Sequence, residues 1–280
     1  MTSSGGDTAW RAVLAAAQQT EQLAARGQAA SFDLIAWDPA AGWQPAVGRD
    51  HPAYQLLDLY LPLCNATAAR PITVGHLGQS LDGFIATHGG DSQFVTGHEN
   101  IVHMHRLRAL CDAVVVGAGT VAADDPQLTT RLVEGPSPLR VVFDPARRLD
   151  AHYGLFTDAA VETMYVCGRS AVPEGETHIG RAAIVAVDDD RDTAVSDLQR
   201  LLVARGCRRI LVEGGGVTVS RFLKENLLDR LQVTVAPFII GDGRPAIRLP
   251  APQLLRDCGR PRHRTFVMGG DVLFELVMRE

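Results

Sequence analysis

From residue 72 onward, short valine-rich apolar runs alternate with longer stretches whose apolar residues recur at helical spacing. The predicted strands are 72–78, 113–117, 140–143, 162–167, 183–187, 209–213 and 231–239. The predicted helices of the same region are 98–111, 193–205 and 217–229. Because strands that alternate with helices tend to pair in parallel and to be buried on both faces, this pattern predicts an α/β fold.

The C-terminal end departs from this alternation. Residues 265–268 and 272–278 are two strand-like runs joined by Gly269-Gly270-Asp271, which is typical of a β-hairpin turn. A hairpin beside parallel strands makes the sheet mixed. We therefore expect a mixed, mostly parallel sheet flanked by helices, with a C-terminal antiparallel hairpin.

The first 70 residues form a distinct segment. The pattern predicts an amphipathic helix at 8–27, a short strand at 32–37 and a second helix at 54–64. No catalytic constellation occurs there. We expect residues 1–70 to be a helical extension that serves packing or oligomerisation, and residues 71–280 to form the main domain.

The composition is that of an ordinary globular protein. Apolar residues make up 46% of the 280 residues, charged residues 21%, and the formal net charge is −5. Nucleic-acid-binding domains usually carry a basic excess, so we expect no nucleic-acid partner. The five cysteines are scattered without a CxxC pair, which indicates neither a disulfide framework nor a thiolate zinc site.

The chain carries no recognisable targeting signal. Its first residues lack the basic region and apolar core of a signal peptide. No apolar run approaches the ~20 residues that span a bilayer. We therefore expect a cytoplasmic protein without a membrane partner.

A glycine turn follows the predicted strand at 113–117. Gly117, Gly119 and Ala122 match the spacing of the dinucleotide-binding fingerprint, and Asp144 ends the next predicted strand. The sequence at 124–126, Asp-Asp-Pro, breaks the chain within one or two turns, whereas a crossover connection needs ~10 residues or more. A glycine loop near a ligand in another fold is therefore favoured over a Rossmann fold.

A second glycine run lies at 214–216, between a strand that ends in Glu213 and an amphipathic helix. Backbone N–H groups at a helix N-terminus bind phosphate, and three consecutive glycines are entropically costly for a turn alone. Ligand contact is favoured over a tight structural turn. Glu213, at the carboxyl end of its strand, is expected to face the same crevice.

The predicted helix at 98–111 has a possible capping box, formed by Thr96 and Glu99. We expect its buried stripe to contain apolar side chains, and its histidines and arginines to lie on the other faces. The expected stripe is Ile101, Met104, Leu107 and Cys111; the polar residues are His103, His105, Arg106 and Arg108.

His98 and His103 suggest a zinc site, but their spacing does not fit one. The HExxH motif places its histidines four residues apart, and these two are five apart. We expect solvated or capping histidines and no metal.

Two arginines follow predicted strands or turns. Arg131 ends the polar loop at 124–131, where anion binding and a surface charge are equal alternatives. Arg169 follows the strand at 162–167 and could clamp a nucleotide 2′-phosphate, although a surface loop is the favoured interpretation.

Four motifs occur in a fixed order: GQSLDG at 78–83, LRA at 107–109, GTVAADDPQLTTR at 119–131 and VEGGG at 212–216. Together they resemble the reductase domain of riboflavin biosynthesis, the C-terminal half of the bacterial bifunctional deaminase–reductase, which also occurs alone. The resemblance covers about residues 71–280. It implies a dihydrofolate-reductase-like fold, NADPH as hydride donor, and usually a homodimer. The implied reaction opens and reduces the ribose of a ribosylaminopyrimidine 5′-phosphate to a ribityl chain.

The resemblance also implies site residues. The implied cofactor contacts are Gly78, Phe94, Thr120, Asp124, Gly215, Gly216, Val217, Thr218, Val219, Ser220 and Arg221. The implied contacts with the phosphorylated substrate are Ser92, Arg108, Leu128, Arg131 and Glu213. No residue is assigned as the catalytic acid or base.

Two positions depart from the family pattern. Phe84 stands where Leu-Asp-Gly is usually followed by Arg or Lys, and His76 replaces a common Lys. The zinc deaminase motifs are missing from residues 1–70. Two alternatives therefore stay open: a paralogous NADPH reductase of another pterin-like or aminopyrimidine compound, and a non-catalytic nucleotide-binding protein.

Overall fold

A computed structural model describes residues 3–190 and 193–279 of the chain. Within these residues the helices are α1 (Ser3–Arg26), α2 (Tyr54–Cys64), α3 (His98–Leu110), α4 (Ala118–Asp124), α5 (Gly154–Thr157), α6 (Thr193–Ala204) and α7 (Gly216–Lys224). The strands of the first half are β1 (Ala30–Ser31), β2 (Ile35–Asp38), β3 (Gly42–Pro45), β4 (Ile72–Ser80), β5 (Phe84–Thr87), β6 (Ala113–Gly117) and β7 (Leu139–Phe143). Those of the second half are β8 (Thr163–Gly168), β9 (His178–Ile179), β10 (Ala182–Val187), β11 (Arg209–Glu213), β12 (Arg230–Ala236), β13 (Gly243–Pro245), β14 (Arg262–Met268) and β15 (Asp271–Val277).

The centre of the molecule is a ten-stranded sheet in the order β14-β15-β12-β4-β11-β6-β7-β8-β10-β9. The strands from β12 to β10 pair in parallel. The hairpin β14–β15 pairs antiparallel with β12, and β9 is antiparallel at the opposite edge. The predicted mixed, mostly parallel sheet with a C-terminal hairpin is confirmed.

Helices cover both faces of this sheet. Along β6, Val114 and Val116 face one core, while Ala113 and Val115 face the other, as strand alternation requires. The first core also contains buried residues of α1 to α5, and the second contains those of α6 and α7. This two-sided burial explains why the central strands are continuously apolar.

The N-terminal segment packs directly on the main domain. Trp10 of α1 donates its indole N–H to the Glu134 carbonyl oxygen at 2.8 Å. The buried guanidinium of Arg209, on β11, donates to the Ala17 carbonyl oxygen at 3.2 Å. Apolar residues of α1 and α2 belong to the same core cluster as those of α3.

The two glycine turns lie side by side because β6 and β11 are neighbouring parallel strands. Each strand leads at its carboxyl end into a helix, α4 and α7 respectively. The first helix is only seven residues long and ends at Asp125, which has a left-handed φ of +37°. The predicted break is therefore present, and α4 is too short for the Rossmann crossover.

Several predicted boundaries were wrong, and three of them have a clear local cause. The helix predicted at 217–229 ends at Lys224, because Asn226 adopts a left-handed φ of +53° and the Leu227 N–H closes the helix on Phe222 O. The strand predicted at 231–239 ends at Ala236, directly before Pro237, which has no N–H for the ladder. The strand predicted at 32–37 is instead the pair β1 and β2, joined by a turn.

The predicted capping box of α3 is also wrong. Gly97, not Thr96, is the N-cap residue, and it makes no side-chain cap. The Gly97 N–H donates to Asp271 Oδ2 at 2.7 Å, and Thr96 Oγ1 accepts from Asn100 Nδ2 at 2.8 Å. Long-range contacts have replaced the local cap.

The predicted solvent exposure of His103 and His105 is wrong as well, since these side chains are 1% and 3% exposed. His103 is covered by Tyr60 of the N-terminal segment, which hydrogen-bonds to it. His105 accepts the Arg131 N–H from the loop after α4, at 3.0 Å. Both histidines point into packed protein because α3 is covered on more than its apolar stripe.

Candidate active site

A cleft of about 510 Å³ opens at the carboxyl ends of β4, β6, β7 and β11. Its glycine-rich wall consists of residues 117–120 and 214–218. Ligand clefts of small-molecule enzymes are typically ~300–1,000 Å³ and lie at this edge of α/β sheets. The cleft is the leading candidate for a nucleotide and a small substrate.

The two glycine turns are locked together across the wall of the cleft. The Gly215 N–H donates to Thr120 Oγ1 at 2.9 Å. A Cβ at Gly117 would lie 2.2 Å from Thr218 Oγ1, so any larger residue would force the Thr218 side chain to move. Gly214 has a φ of +102°, which strongly favours glycine. The backbone of both turns is thereby held rigidly at the cleft.

The same wall suits anionic groups. The nine-residue helix α7 begins at Gly216 and presents its N-terminal N–H groups and dipole towards the cleft. Four arginines line the rest of the opening: Arg148, Arg221, Arg244 and Arg248. Arg148 follows β7 and is largely exposed, although its Nε lies 3.2 Å from Asp144 Oδ1. The arrangement can hold a ligand that carries several phosphates.

Glu213 lines the cleft at the end of β11 and binds Arg108 of α3 with both carboxylate oxygens. Arg108 Nε lies 2.9 Å from Glu213 Oε2, and the two side chains are 11% and 14% exposed. Burial disfavours the guanidinium charge, but Glu213 outweighs it and raises the Arg108 pKa. The Arg108 guanidinium therefore remains charged beside the cleft.

Arg131 lies close to this ion pair but is exposed. Its Nη1 donates to Thr129 Oγ1 at 2.5 Å. Burial and the neighbouring Arg108 charge lower the pKa of Arg131. Burial, Arg108 and Arg131 together also lower the pKa of His105 to about 4, so His105 is neutral at pH 7. The region keeps an excess of positive charge near Glu213.

The floor of the cleft is a buried polar cluster. His76 of β4 and Asn100 of α3 both line the cleft. His76 Nε2 lies 3.2 Å from Asn100 Oδ1, which also accepts from Thr234 Oγ1 at 2.7 Å. Burial lowers the His76 pKa to about 4 despite the attraction of Glu213. The floor therefore offers neutral hydrogen-bonding groups beside a carboxylate.

The opposite rim is formed by residues 92–96. Phe94 is 83% exposed and has a left-handed φ of +59°, which is unusual for a bulky residue. Ser92 Oγ donates to Asp124 Oδ1 at 3.0 Å and so links the rim to the end of α4. A strained, exposed aromatic residue at a cleft edge is the kind of feature found at ligand sites.

The structure brings most of the sequence-predicted site residues to this cleft. Those that line it are Gly78, Ser92, Phe94, Thr120, Asp124, Glu213, Gly215, Gly216, Val217, Thr218 and Arg221. Those outside its lining are Arg108, Leu128, Arg131, Val219 and Ser220. Val219 is fully buried in the core below α7, and Ser220 Oγ accepts the Arg248 N–H at 2.8 Å. Leu128 is 1% exposed, with a φ of +54°.

Several cleft residues were missed by the sequence reasoning: Asn100, Arg148, Arg244 and Arg248. Asp144 was noted only as the acidic residue of a dinucleotide fingerprint, and its position directly after a buried strand was the signal for this part of the cleft. Asp144 itself is fully buried and accepts from the Arg148 and Leu149 N–H groups and the Tyr165 hydroxyl, so its oxygens are engaged within the protein. Arg169, which was considered as a phosphate clamp, is exposed and outside the lining.

Among residues 3–190 and 193–279, no three His, Cys, Asp or Glu side chains are grouped so that they could hold a metal ion. In the same part of the chain, no helix combines the length and apolar character needed to cross a membrane.

The mixed sheet and its glycine-walled cleft define an α/β protein of the dihydrofolate-reductase-like class. Comparison with family profiles matches residues 72–259 to the RibD C-terminal domain. The chain belongs to the RibD C-terminal domain family.

Two archaeal relatives are similar over most of their own length. The 2,5-diamino-6-ribosylamino-4(3H)-pyrimidinone 5′-phosphate reductase of Methanothermobacter thermautotrophicus is 33% identical over 216 residues, which are 75% of this chain and 99% of that protein. The protein of the same name from Archaeoglobus fulgidus is 34% identical over 182 residues, 61% of this chain and 83% of its own length.

Solved structures agree with the fold. The deaminase/reductase of Thermotoga maritima superposes with a TM-score of 0.65 and 26% identity, over 80% of this chain and 60% of that chain. The Saccharomyces cerevisiae riboflavin biosynthesis reductase Rib7 gives a TM-score of 0.61 at 22% identity, over 80% and 97% of the two chains. The latter similarity shows the fold alone.

Proposed function

We propose that this protein is an NADPH-dependent reductase that converts a ribosylaminopyrimidine 5′-phosphate into its ribityl form. The favoured substrate is the 2,5-diamino-6-ribosylamino-4(3H)-pyrimidinone 5′-phosphate named for its archaeal relatives. The observation that supports this most is the cleft itself, where a glycine-rich wall and four arginines adjoin a polar floor that contains His76 and Asn100.

The residues present fit a nicotinamide dinucleotide. An ideal Cβ at Gly119 would have no heavy atom within 4 Å, and one at Gly215 would meet only Thr120 Oγ1, at 3.1 Å. Both backbones thus face open space, which a diphosphate can approach closely. The Gly215 N–H itself is bonded to Thr120 Oγ1, so the N–H groups at the start of α4 and α7 are the donors assigned to the diphosphate. When bound, the cofactor supplies the hydride for the reduction.

The preference for NADPH over NADH is attributed to Arg148. It lines the cleft directly after β7, and its side chain is 64% exposed, so its guanidinium can reach a ligand. The neighbouring Asp144 is fully buried, with three hydrogen bonds to Oδ2 and Arg148 Nε 3.2 Å from Oδ1, so its carboxylate is not exposed to a ribose 2′-hydroxyl. An arginine at this position, with no exposed carboxylate beside it, favours the ribose 2′-phosphate of NADPH over the 2′-hydroxyl of NADH.

The substrate is assigned to the corner beside the floor of the cleft. Arg131, supported by Arg108, supplies positive charge for the 5′-phosphate. Glu213 and Ser92 line the cleft, and their oxygens can accept hydrogen bonds from N–H or O–H groups of the substrate. Phe94 at the rim is suited to cover the reacting atoms and exclude water.

His76 is suited to hydrogen bonding rather than to proton donation. Its burial lowers the pKa to about 4, so the imidazole is neutral at pH 7. We assign it, with Asn100, to the orientation of the substrate.

A homodimer in the cytoplasm completes the proposal. The strand β14 is a sheet edge, and Val267, Val272 and Phe274 of the hairpin are exposed enough to pack against a second copy. All five cysteines are free, which fits a reducing compartment. Light scattering of the purified protein tests the dimer.

The activity is tested by following NADPH oxidation with a panel of ribosylaminopyrimidine phosphates and by measuring the product masses with mass spectrometry. The expected product gains two hydrogens, and the favoured substrate is the 2,5-diamino compound. NADPH binding without turnover on any member of the panel would contradict the reductase proposal and favour a non-catalytic nucleotide-binding protein.

A further inference from the structure

One side chain of the N-terminal segment reaches the underside of the cleft, although the segment lies outside the family match at 72–259. Tyr60 of α2 is 1% exposed, and its hydroxyl oxygen is 2.5 Å from Nδ1 of His103 on α3. Helix α3 also carries Asn100, which lines the cleft, and Arg108, which forms an ion pair with Glu213. The segment therefore makes a buried polar contact with the helix that supplies the site.

The partners of His103 define its protonation state. Its Nε2 lies 2.9 Å from the Gln232 carbonyl oxygen Oε1, which can only accept. Nε2 therefore carries the proton, and Nδ1 accepts from the Tyr60 hydroxyl. Burial lowers the His103 pKa well below its ordinary value and raises that of Tyr60, so the imidazole stays neutral and the phenol stays protonated.

These contacts extend to the floor of the cleft through packing. The His103 and His76 rings lie 5.3 Å apart between centroids. His76 in turn contacts Asn100, and both line the cleft. His76 also pairs in register with Glu213 on the neighbouring strand. We call Tyr60, His103, Gln232, His76 and Asn100 the Tyr60 network.

The network has little redundancy at His103. Gln232 is fully buried, and its Nε2 has no hydrogen-bond partner among the described residues. Among the described residues, the His103 ring makes two hydrogen bonds, one from Tyr60 and one to Gln232, and the Tyr60 hydroxyl also interacts with Arg106. Loss of the Tyr60 hydroxyl leaves Nδ1 buried without a donor, and the ring is then free to turn against His76.

We propose that Tyr60 is a positioning residue of the active site. By holding His103 in one tautomer and one ring orientation, it holds His76 and Asn100 in place at the cleft floor. The inference rests on the proposed reductase function, because its kinetic effect is read through that reaction. It gives the N-terminal segment a role in the chemistry of the site beyond packing.

The test is Tyr60→Phe, which removes the hydroxyl and keeps the ring. We expect kcat for the ribosylaminopyrimidine phosphate to fall about tenfold, because a small misplacement of positioning groups costs one to two orders of magnitude in rate. The NADPH Kd should stay within about twofold, because the cofactor wall is on other elements. In ¹⁵N spectra of histidine-labelled protein, the ring signals of His103 and His76 should both move.

Two variants separate this effect from destabilisation. Tyr54→Phe removes a hydroxyl from the same helix outside the network, and should leave kcat unchanged. Thr20→Val removes the buried hydroxyl that bonds to Trp43 and the Cys64 carbonyl within the segment. It should lower the unfolding temperature without lowering kcat or moving the His76 signals.

Failure of this inference differs from failure of the proposed function. Wild-type kcat in Tyr60→Phe would overturn the role of Tyr60, as would a wild-type spectrum that places the His103 proton on Nδ1. If the wild type itself shows no turnover, the proposed function fails. In that case the ¹⁵N signals of His76 test the Tyr60 network without turnover. A change in their position in Tyr60→Phe supports the coupling between Tyr60 and His76, and unchanged positions overturn it.

Discussion

Arg108 and Glu213 form a two-point ion pair across the wall of the cleft, with Nε 2.9 Å from Oε2 and a second bond from Nη2 to Oε1. Arg108 also donates to the Thr129 carbonyl oxygen at 3.3 Å, so its guanidinium is largely occupied. A substrate phosphate would have to share it. Arg131 is more exposed, and among the described residues its guanidinium bonds to nearby Thr129 Oγ1 alone, so it is the better placed of the two arginines to receive the phosphate.

Arg131→Ala is expected to weaken kcat/KM for the phosphorylated substrate by about 10–150-fold, because a charge-assisted hydrogen bond contributes roughly 1.5–3 kcal/mol. The loss should appear mainly in KM if the phosphate anchors the ground state and the transition state alike. Steady-state kinetics with the substrate and its dephosphorylated analogue check this. Equal decreases in kcat/KM for the two compounds would show that Arg131 does not bind the phosphate.

The matched control is Arg205→Ala. Arg205 is also a half-exposed arginine, but it pairs with Glu162 away from the cleft. It should leave both substrates unaffected, which separates a phosphate contact from a general change in surface charge.

Gly215→Val is expected to abolish stabilisation by NADPH while the protein stays folded. The φ of Gly215 is −46°, which other residues adopt, and its Cβ would meet only Thr120 Oγ1 before entering the cleft. A ligand at 100 times its Kd stabilises the wild type by about 2.7 kcal/mol. Thermal unfolding with and without NADPH measures the effect.

Valine substitutions at two other glycines serve as controls for Gly215→Val. Gly259→Val, where a Cβ meets no atom within 4 Å, should keep the full shift in unfolding temperature. Gly216→Val should fail to fold, because its Cβ would lie 2.1 Å from the Ala246 carbonyl oxygen. An undiminished NADPH shift in Gly215→Val would exclude the glycine loop as the cofactor site.

Arg148→Ala is expected to reduce the preference for NADPH over NADH. Loss of one charge-assisted contact should raise KM for NADPH by about 10–150-fold and leave KM for NADH nearly unchanged. Asp144 keeps its bonds from two backbone N–H groups and from Tyr165, so the fold should survive. Parallel increases in both KM values would contradict a 2′-phosphate contact.

The free energy of unfolding is expected to decrease as the pH falls from about 6.5 towards 4. The pKa values of His76 and His105 are lowered to about 4, and that of His103 lies well below its ordinary value. In this window the unfolded chain takes up protons that the folded protein does not bind. Above it these histidines are neutral in both states and add no pH dependence.

Urea unfolding at several pH values between 7.5 and 4.5 measures this dependence. His103→Gln, which can still accept from Tyr60, should show a shallower decrease than the wild type because one of the buried histidines is gone. An identical slope in the two proteins would mean that His103 does not contribute.

Much of the architecture could be predicted from the residues alone. The alternation of Val-rich strands with helices, the glycine turns and the C-terminal hairpin are signals carried by neighbouring residues, and all of them are present in the structure. Helix ends and caps were less predictable. At the start of α3, the predicted local capping box does not form. Instead, the Gly97 N–H donates to Asp271, which is 174 residues away along the chain.

The sequence by itself determined the fold class and the position of the glycine loops, because periodicity and backbone freedom are local properties. The eleven predicted site residues that line the cleft came mainly from the resemblance to the reductase family, which is carried by short motifs of neighbouring residues. Only the tertiary structure decided which side chains meet. The Arg108–Glu213 pair joins residues 105 apart, and the Tyr60–His103 and His103–Gln232 bonds join residues 43 and 129 apart. Burial of His103 follows from the packing of the N-terminal segment on α3, and no pattern within the helix itself encodes that contact.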